Sequence, residues 1–474
     1  MRIAYLSPLP PQRSGIADYS AELLPELARH LEIELVAEAG ARPAAELAER
    51  FAVRRPEELA GLLERRHYDA LLYHLGNEAT YHGEIYRRAL RHPGVIVLHE
   101  AMLHHLVRGL TLARGDAAGF VDEMRYAYGG TGEAAARRAV TTGVLVDPWS
   151  YPLFERAVDR SRGVIVHNRT GRDRVLASRP RAPVTVVPFP FTLPAPAPSA
   201  AAARRALGLA PDQVLVGCFG FVTPEKRPEV VLRAFVRRRA ELPQARLAFV
   251  GELSQAYEGS SFVPAELRPA VTVTGRIGMP EFLSWMAAAD LAVNLRYPSG
   301  GETSATLVRL LGLGKPVVVS ATGSFNEIPD DACAKVDPVE FEEETLAAVL
   351  RRLALDPPLR AALGENARRH AQREHSLAAT ARGYVAALEA AANAGDPQPA
   401  VPPLTPYPAE DLLSALVAEL AAAAVDLGVE EGDDEALAAI AQPVVELGLD
   451  RQGRGALTSL GGHGGPPLPL LNGP

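Results

Sequence analysis

The chain has 474 residues, of which 47% are hydrophobic, and 49 Lys and Arg against 57 Asp and Glu leave a formal net charge of -8. At about 150 residues per domain this allows three folded units, or two with additions, and it excludes both a mainly disordered chain and charge-driven nucleic-acid binding. Only two cysteines occur, Cys218 and Cys333, too few for a disulfide-dense scaffold or a multi-cysteine zinc module.

From the N-terminus, β-rich runs alternate with helical patterns. Strands are predicted at Arg2–Leu6, Glu32–Val36, Ala70–Tyr73, Val95–Leu98, Gly163–Val166 and Val184–Val187, with amphipathic stretches such as Ala17–His30 and Ile85–Arg91 between them. Continuous apolar runs such as VIVL are the form expected of strands covered on both faces by helices, so a parallel, doubly wound sheet is expected over residues 1–190. A proline-rich stretch follows, read as a linker at 191–204. The alternation then restarts with strands predicted at Val214–Phe219, Arg246–Val250, Val271–Thr274, Leu291–Leu295 and Pro316–Val319. The second domain is placed at 205–375, within a region from Glu340 to Ala392 that reads as helical throughout. Residues 376–392 are read as a terminal helix crossing back to the first domain. A proline- and alanine-rich tail, 393–474, is expected to be partly disordered, with helical segments near Asp411–Val425 and Glu435–Glu446.

Two open parallel sheets place their ligand-binding edges beyond the carboxyl ends of the strands, and the motifs with chemical content sit there. After the first strand, SPLPPQRSGIADYS puts Gly15 at a helix start, either as a proline-rich turn or as a loop whose backbone approaches an anionic ligand. After VIVL come His99 and Glu100. The string HEAMLHH resembles a zinc HExxH, but the second ligand position is Leu103 and His104 is one residue late, so no metal site is assigned. His74 holds a similar strand-end position. Lys226, one of only three lysines, follows strand Val214–Phe219 and suits a phosphate as a compact point charge. After Leu291–Leu295 come Arg296, a Pro-Ser-Gly-Gly turn, then Glu302, Thr303 and Ser304 opening a helix whose free N–H groups suit a diphosphate.

In order and spacing, these motifs resemble the retaining glycosyltransferases of family 4, of GT-B fold, over about Met1 to Ala392. The resemblance implies α/β architecture with two facing Rossmann-like domains and a helical C-terminal extension. Gly15 corresponds to the family's glycine-rich loop, and Gly220–Lys226 to its G-R-x-x-x-x-K loop, with Phe221 in place of the arginine. Pro298–Ala305 is similar to the P-S-x-x-E-G-F-G turn, with Glu302 as the first glutamate of the E-x7-E pair and Arg309 in place of the second. Glu327 ends a G-G-x-x-E-like segment. The implied catalytic residues are His99 and Glu302, and the implied donor-binding residues are Gly15, Lys226, Arg296, Thr303, Ser304, Arg309 and Glu327.

The expected reaction is metal-independent transfer of a hexose, with retention, from a nucleotide-diphosphate sugar to a glycan, lipid-linked or small-molecule acceptor. No cofactor beyond the donor, no metal and no nucleic-acid partner are expected. The alternatives are a non-catalytic nucleotide- or sugar-binding GT-B protein and a GT-B nucleotide-sugar epimerase. No apolar run approaches the ~18 residues of a membrane span, and the N-terminal apolar stretch is too short for a signal peptide. A cytoplasmic location is therefore expected. The basic stretch Arg233–Arg239 fits either a solvated helix face or peripheral contact with anionic lipid at the inner membrane face.

Overall fold

The computed structural model describes residues 1–37, 42–193, 197–257, 262–395 and 397. The first domain is built on seven parallel strands: β1 (Arg2–Leu6), β2 (Glu32–Val36), β3 (Ala52–Arg54), β4 (Ala70–Leu75), β5 (Val95–Leu98), β6 (Gly163–Val166) and β7 (Val184–Val186). Their order is β3-β2-β1-β4-β5-β6-β7. Ile3 pairs with Ile33 on one side and Ala70 on the other, so the strand order reverses at β1. The second domain carries β8 (Val214–Phe219), β9 (Ala245–Val250), β10 (Val271–Val273), β11 (Leu291–Asn294), β12 (Val317–Ser320) and β13 (Ala334–Val336). Its order, β10-β9-β8-β11-β12-β13, reverses at β8. Both sheets have apolar cores on each face, as expected of strands such as VIVL and VVVS that are buried at every residue.

Two strands were absent from the sequence-based assignment. Both β3 and β13 are three residues long and lie at sheet edges, and AVR and AKV lack the β-branched run that marks the equally short β7 and β10, both VTV. The region Glu340–Ala392 is not one continuous helical stretch. It divides into Glu342–Leu355, Pro357–Glu374 and Leu377–Asn393, and the breaks fall where Asp356 and Ser376 cap the following helices through Leu359 N and Ala379 N. Residues 200–206, which straddle the end of the predicted linker, form a helix capped by Ser199; its Arg204 pairs with Asp290 at 2.6 Å in the second domain. The tail helices expected near Asp411–Val425 and Glu435–Glu446 lie outside the described residues.

The chain crosses between the domains twice, and the crossings are hydrogen-bonded to one another. Phe191 N donates to His375 O at 3.1 Å, and Thr380 Oγ1 donates to Pro188 O at 2.9 Å. The last described helix, Leu377–Asn393, packs on the first domain, where the Tyr384 and Tyr19 hydroxyls meet at 2.7 Å. Two crossings tied at one end leave the carboxyl ends of β1, β4 and β5 facing those of β8, β11 and β12.

Candidate active site

The site is assembled from loops at those facing strand ends. A cavity of about 520 Å³ opens between the domains, lined from the first by Gly15, Asn77, His99 and Glu100 and from the second by Glu302 and Thr303. It brings together four residues singled out in the sequence: Gly15, His99, Glu302 and Thr303.

Glu302 sits on the loop between β11 and the helix Ala305–Gly312. Its Oε1 lies 2.8 Å from Arg296 Nε, and its Oε2 accepts from Gly300 N at 2.7 Å and Ser299 Oγ at 3.1 Å. The carboxylate is thus oriented by its own loop and by Arg296. Ser304 is the N-cap of the helix: its Oγ accepts from Leu307 N at 3.3 Å, which leaves the other early N–H groups of that helix free of side-chain caps. Thr303 Oγ1 accepts from Asn168 Nδ2 across the interdomain boundary at 2.9 Å.

Lys226 lies outside this cavity, in a small recess with Gly220 and Asn294 at the ends of β8 and β11. Its Nζ donates to Phe219 O at 3.1 Å. Burial, reinforced by the Arg296 charge, lowers its ammonium to about 7, so an incoming anion would find a group ready to take up a proton. Gly220 has φ +87°, and a Cβ there would stand 2.9 Å from Lys226 Nζ; this position needs glycine on both counts.

His99 and His74 meet at the ends of β5 and β4, their rings tilted by 33°, with His99 Nε2 3.0 Å from His74 Nδ1. Tyr19 and His167 close around the His99 ring at centroid distances of 4.9 Å. Burial, followed by the neighbouring His167, holds His99 well below the usual imidazole range, so it is a neutral hydrogen-bonding group at physiological pH. His104 faces elsewhere, its Nδ1 2.8 Å from Tyr151 O. Among the described residues no group of three or more His, Cys, Asp or Glu is placed to hold a metal ion.

Two expected donor-binding residues are placed differently. Arg309 is 8% exposed and pairs with Glu22 of the first domain. Glu327 accepts from Arg169 N at 3.0 Å and Thr170 N at 2.7 Å, at the start of the first-domain helix Arg169–Ser178. It lines a second interdomain cavity of about 340 Å³, which shares Thr303 with the larger one. Both residues join the domains.

Sequence reasoning left out Glu22, Asn168 and a site role for Glu100. Asn168 stands two residues past β6, in the string His-Asn-Arg-Thr, which carries no signal of a bridging role. It is 7% exposed, caps the helix Arg169–Ser178 through Gly171 N, and donates to Gly301 O at 2.8 Å. The basic stretch Arg233–Arg239 is engaged in exposed pairs, among them Arg233 to Glu343 at 2.7 Å and Arg237 to Glu344 at 3.0 Å. No helix among the described residues is long and apolar enough to cross a membrane.

Two facing Rossmann-like sheets with the ligand edges turned toward one cleft define the GT-B glycosyltransferase architecture. Residues 199–370, nearly all of the second domain, match the family model described as Glycosyl transferases group 1. A D-inositol 3-phosphate glycosyltransferase of Saccharomonospora viridis is 29% identical over 230 residues, covering 46% of this chain and 53% of that protein. The chain spans about half the length of the curated relatives it matches. Among solved structures, a sucrose-phosphate synthase from Thermosynechococcus elongatus superimposes with TM-score 0.58 at 16% identity, over 81% of this chain and 98% of that one. Anabaena Alr3699/HepE, solved in complex with UDP, gives TM-score 0.57 at 18% identity, over 82% of this chain and 100% of that one.

Proposed function

We propose that the protein transfers a hexose from a nucleotide-diphosphate donor to an acceptor hydroxyl, with retention at the anomeric carbon and without a metal ion. The observation that carries this is Glu302 and the start of helix Ala305–Gly312, with its free N–H groups, lining an interdomain cavity, with Arg296 paired to Glu302 and Lys226 in the adjoining recess within reach of both charges. Departure of a nucleotide diphosphate develops negative charge, and fixed cations with helix N–H groups stabilise such a leaving group. Lys226 takes up a proton as the diphosphate arrives and neutralises it. Thr303 and the helix N–H groups hydrogen-bond its oxygens. Glu302, already oriented by Arg296 and Gly300 N, accepts from hydroxyls of the donor sugar. His99, neutral and held by His74, positions the sugar against the acceptor.

The relatives support this reading by name, as D-inositol 3-phosphate glycosyltransferases, and the structural neighbour Alr3699/HepE was also solved with UDP-glucose. Polysaccharide or glycolipid assembly on the cytoplasmic side is the setting we assign to it.

Thermal unfolding against UDP, GDP, ADP, CDP and dTDP, without added metal, is the direct test. A ligand at ~100 times its dissociation constant adds about 2.7 kcal/mol of stability. A shift with one nucleotide, lost in Lys226→Ala, followed by cleavage of the matching nucleotide sugar, is the expected result. No shift with any nucleotide would overturn the donor site. A shift without donor cleavage would favour a non-catalytic binding protein.

A further inference from the structure

The charges around the larger cavity restrict what can enter from the first domain. Among the described residues its lining carries three carboxyls, Glu78, Glu100 and Glu302, and three histidines, His82, His99 and His105, with no lysine or arginine. Burial lowers all three imidazoles, His82 to about 4, so none supplies positive charge near neutral pH. The two cations whose charge acts on Glu100 are both engaged: Arg296 with Glu302, and Arg174 through Nη2 with Trp149 O at 2.7 Å.

Glu100 is the group the proposed mechanism does not use. It follows β5 and faces Glu302 across Gly300: a Cβ on that glycine would stand 3.3 Å from Glu100 Oε2 and 3.4 Å from Glu302 Oε2. Burial, and then the Glu302 charge, raise the Glu100 carboxyl to about 8, leaving it mostly protonated at pH 7, where it can both donate and accept a hydrogen bond. A phosphate or carboxylate placed here would meet two carboxyls, with Arg296 already paired to Glu302, and burying an anion without a partner of its own is strongly unfavourable.

We propose that the acceptor is an uncharged polyol held at Glu100, and that acceptors carrying a phosphate or carboxylate are excluded. This rests on the transferase reading above and sets the acceptor class for the same site.

The test follows nucleotide release from the donor sugar identified above, using the full chain with matched acceptor probes: glucose against glucose 6-phosphate, and myo-inositol against inositol 3-phosphate. The neutral member of at least one pair should accelerate release, by at least about tenfold over its phosphorylated partner. Glu100→Gln should raise the KM for the neutral acceptor while the nucleotide-induced thermal shift persists. Glu100→Lys, which supplies the absent counter-charge, should move the preference toward the phosphorylated probe. Equal or better use of the phosphorylated probes, or acceleration by neither, overturns the acceptor assignment while basal donor cleavage still upholds the transferase. Absence of donor cleavage overturns both.

Discussion

Asn168 of the first domain donates to Thr303 Oγ1 of the second at 2.9 Å and to Gly301 O at 2.8 Å, so one amide bridges the cleft at the loop that carries Glu302. Its own Oδ1 meanwhile accepts from Gly171 N at 2.7 Å. Asn168→Asp keeps that cap and removes both bridging donors, setting a carboxylate against the Gly301 carbonyl. We expect a loss of about 1–2 kcal/mol in thermal unfolding and a larger radius of gyration by small-angle X-ray scattering. Unchanged dimensions would mean that this amide does not hold the domains together.

Arg309 and Glu22 form the second bridge. Asp18 stands close by, its carboxyl raised by burial and drawn back by Arg309. Arg309→Glu, which restores the glutamate of the E-x7-E pattern, would here set two carboxylates face to face. It should cost about 1–3 kcal/mol, and adding Glu22→Arg should recover most of that loss. A neutral single substitution in thermal melts would remove any structural weight from the pair.

Lys226 makes a pH prediction. Its folded value, about 7, lies below the ordinary lysine value of about 10.4, so between those values the unfolded chain binds the extra proton and stability rises with pH. Lys226→Met should abolish that rise. Binding of a nucleotide diphosphate should take up a proton in the same window. Its affinity should then weaken above pH 7 by up to about tenfold per unit. Calorimetric titration in two buffers of different ionisation enthalpy reads the uptake directly, and buffer-independent heats would contradict it.

Two glycines near the site should behave oppositely. Gly251 has φ +151°, and a Cβ there would stand 2.3 Å from Gly220 O, on the loop that carries Lys226. Gly251→Ala should cost about 2 kcal/mol and erase the nucleotide shift. Gly15 has nothing within 4 Å of a Cβ, so Gly15→Ala should change stability by less than about 0.5 kcal/mol. A defect in Gly15→Ala would then appear in turnover and not in the melting temperature.

Much of the fold was legible because buried parallel strands are continuous apolar runs and their helices are amphipathic. These are local patterns, and they placed eleven of the thirteen strands among the described residues. The edge strands β3 and β13 were missed because AVR and AKV set a charge beside two apolar residues, whereas the equally short β7 and β10 read VTV, a β-branched run. Gly15, His99, Glu302 and Thr303 were legible for a related reason: the doubly wound topology puts residues after a strand at the ligand edge, so position along the chain already states position in the cleft.

What the chain order could not decide was which side chains were committed elsewhere. Arg309 and Glu327 have the charge and spacing of ligand-binding groups, yet they meet Glu22 and the first turn of helix Arg169–Ser178. Asn168 carried no signal in the chain order, and Glu100 stood there only as the neighbour of a histidine. Each of these contacts joins residues more than 130 positions apart or depends on how deeply a carboxyl is buried. Periodicity and propensity act over a few residues, so they determined the two sheets and the loops at their edges. The pairing of charges across the cleft, and with it the character of the cavity, was decided only when the two domains closed on one another.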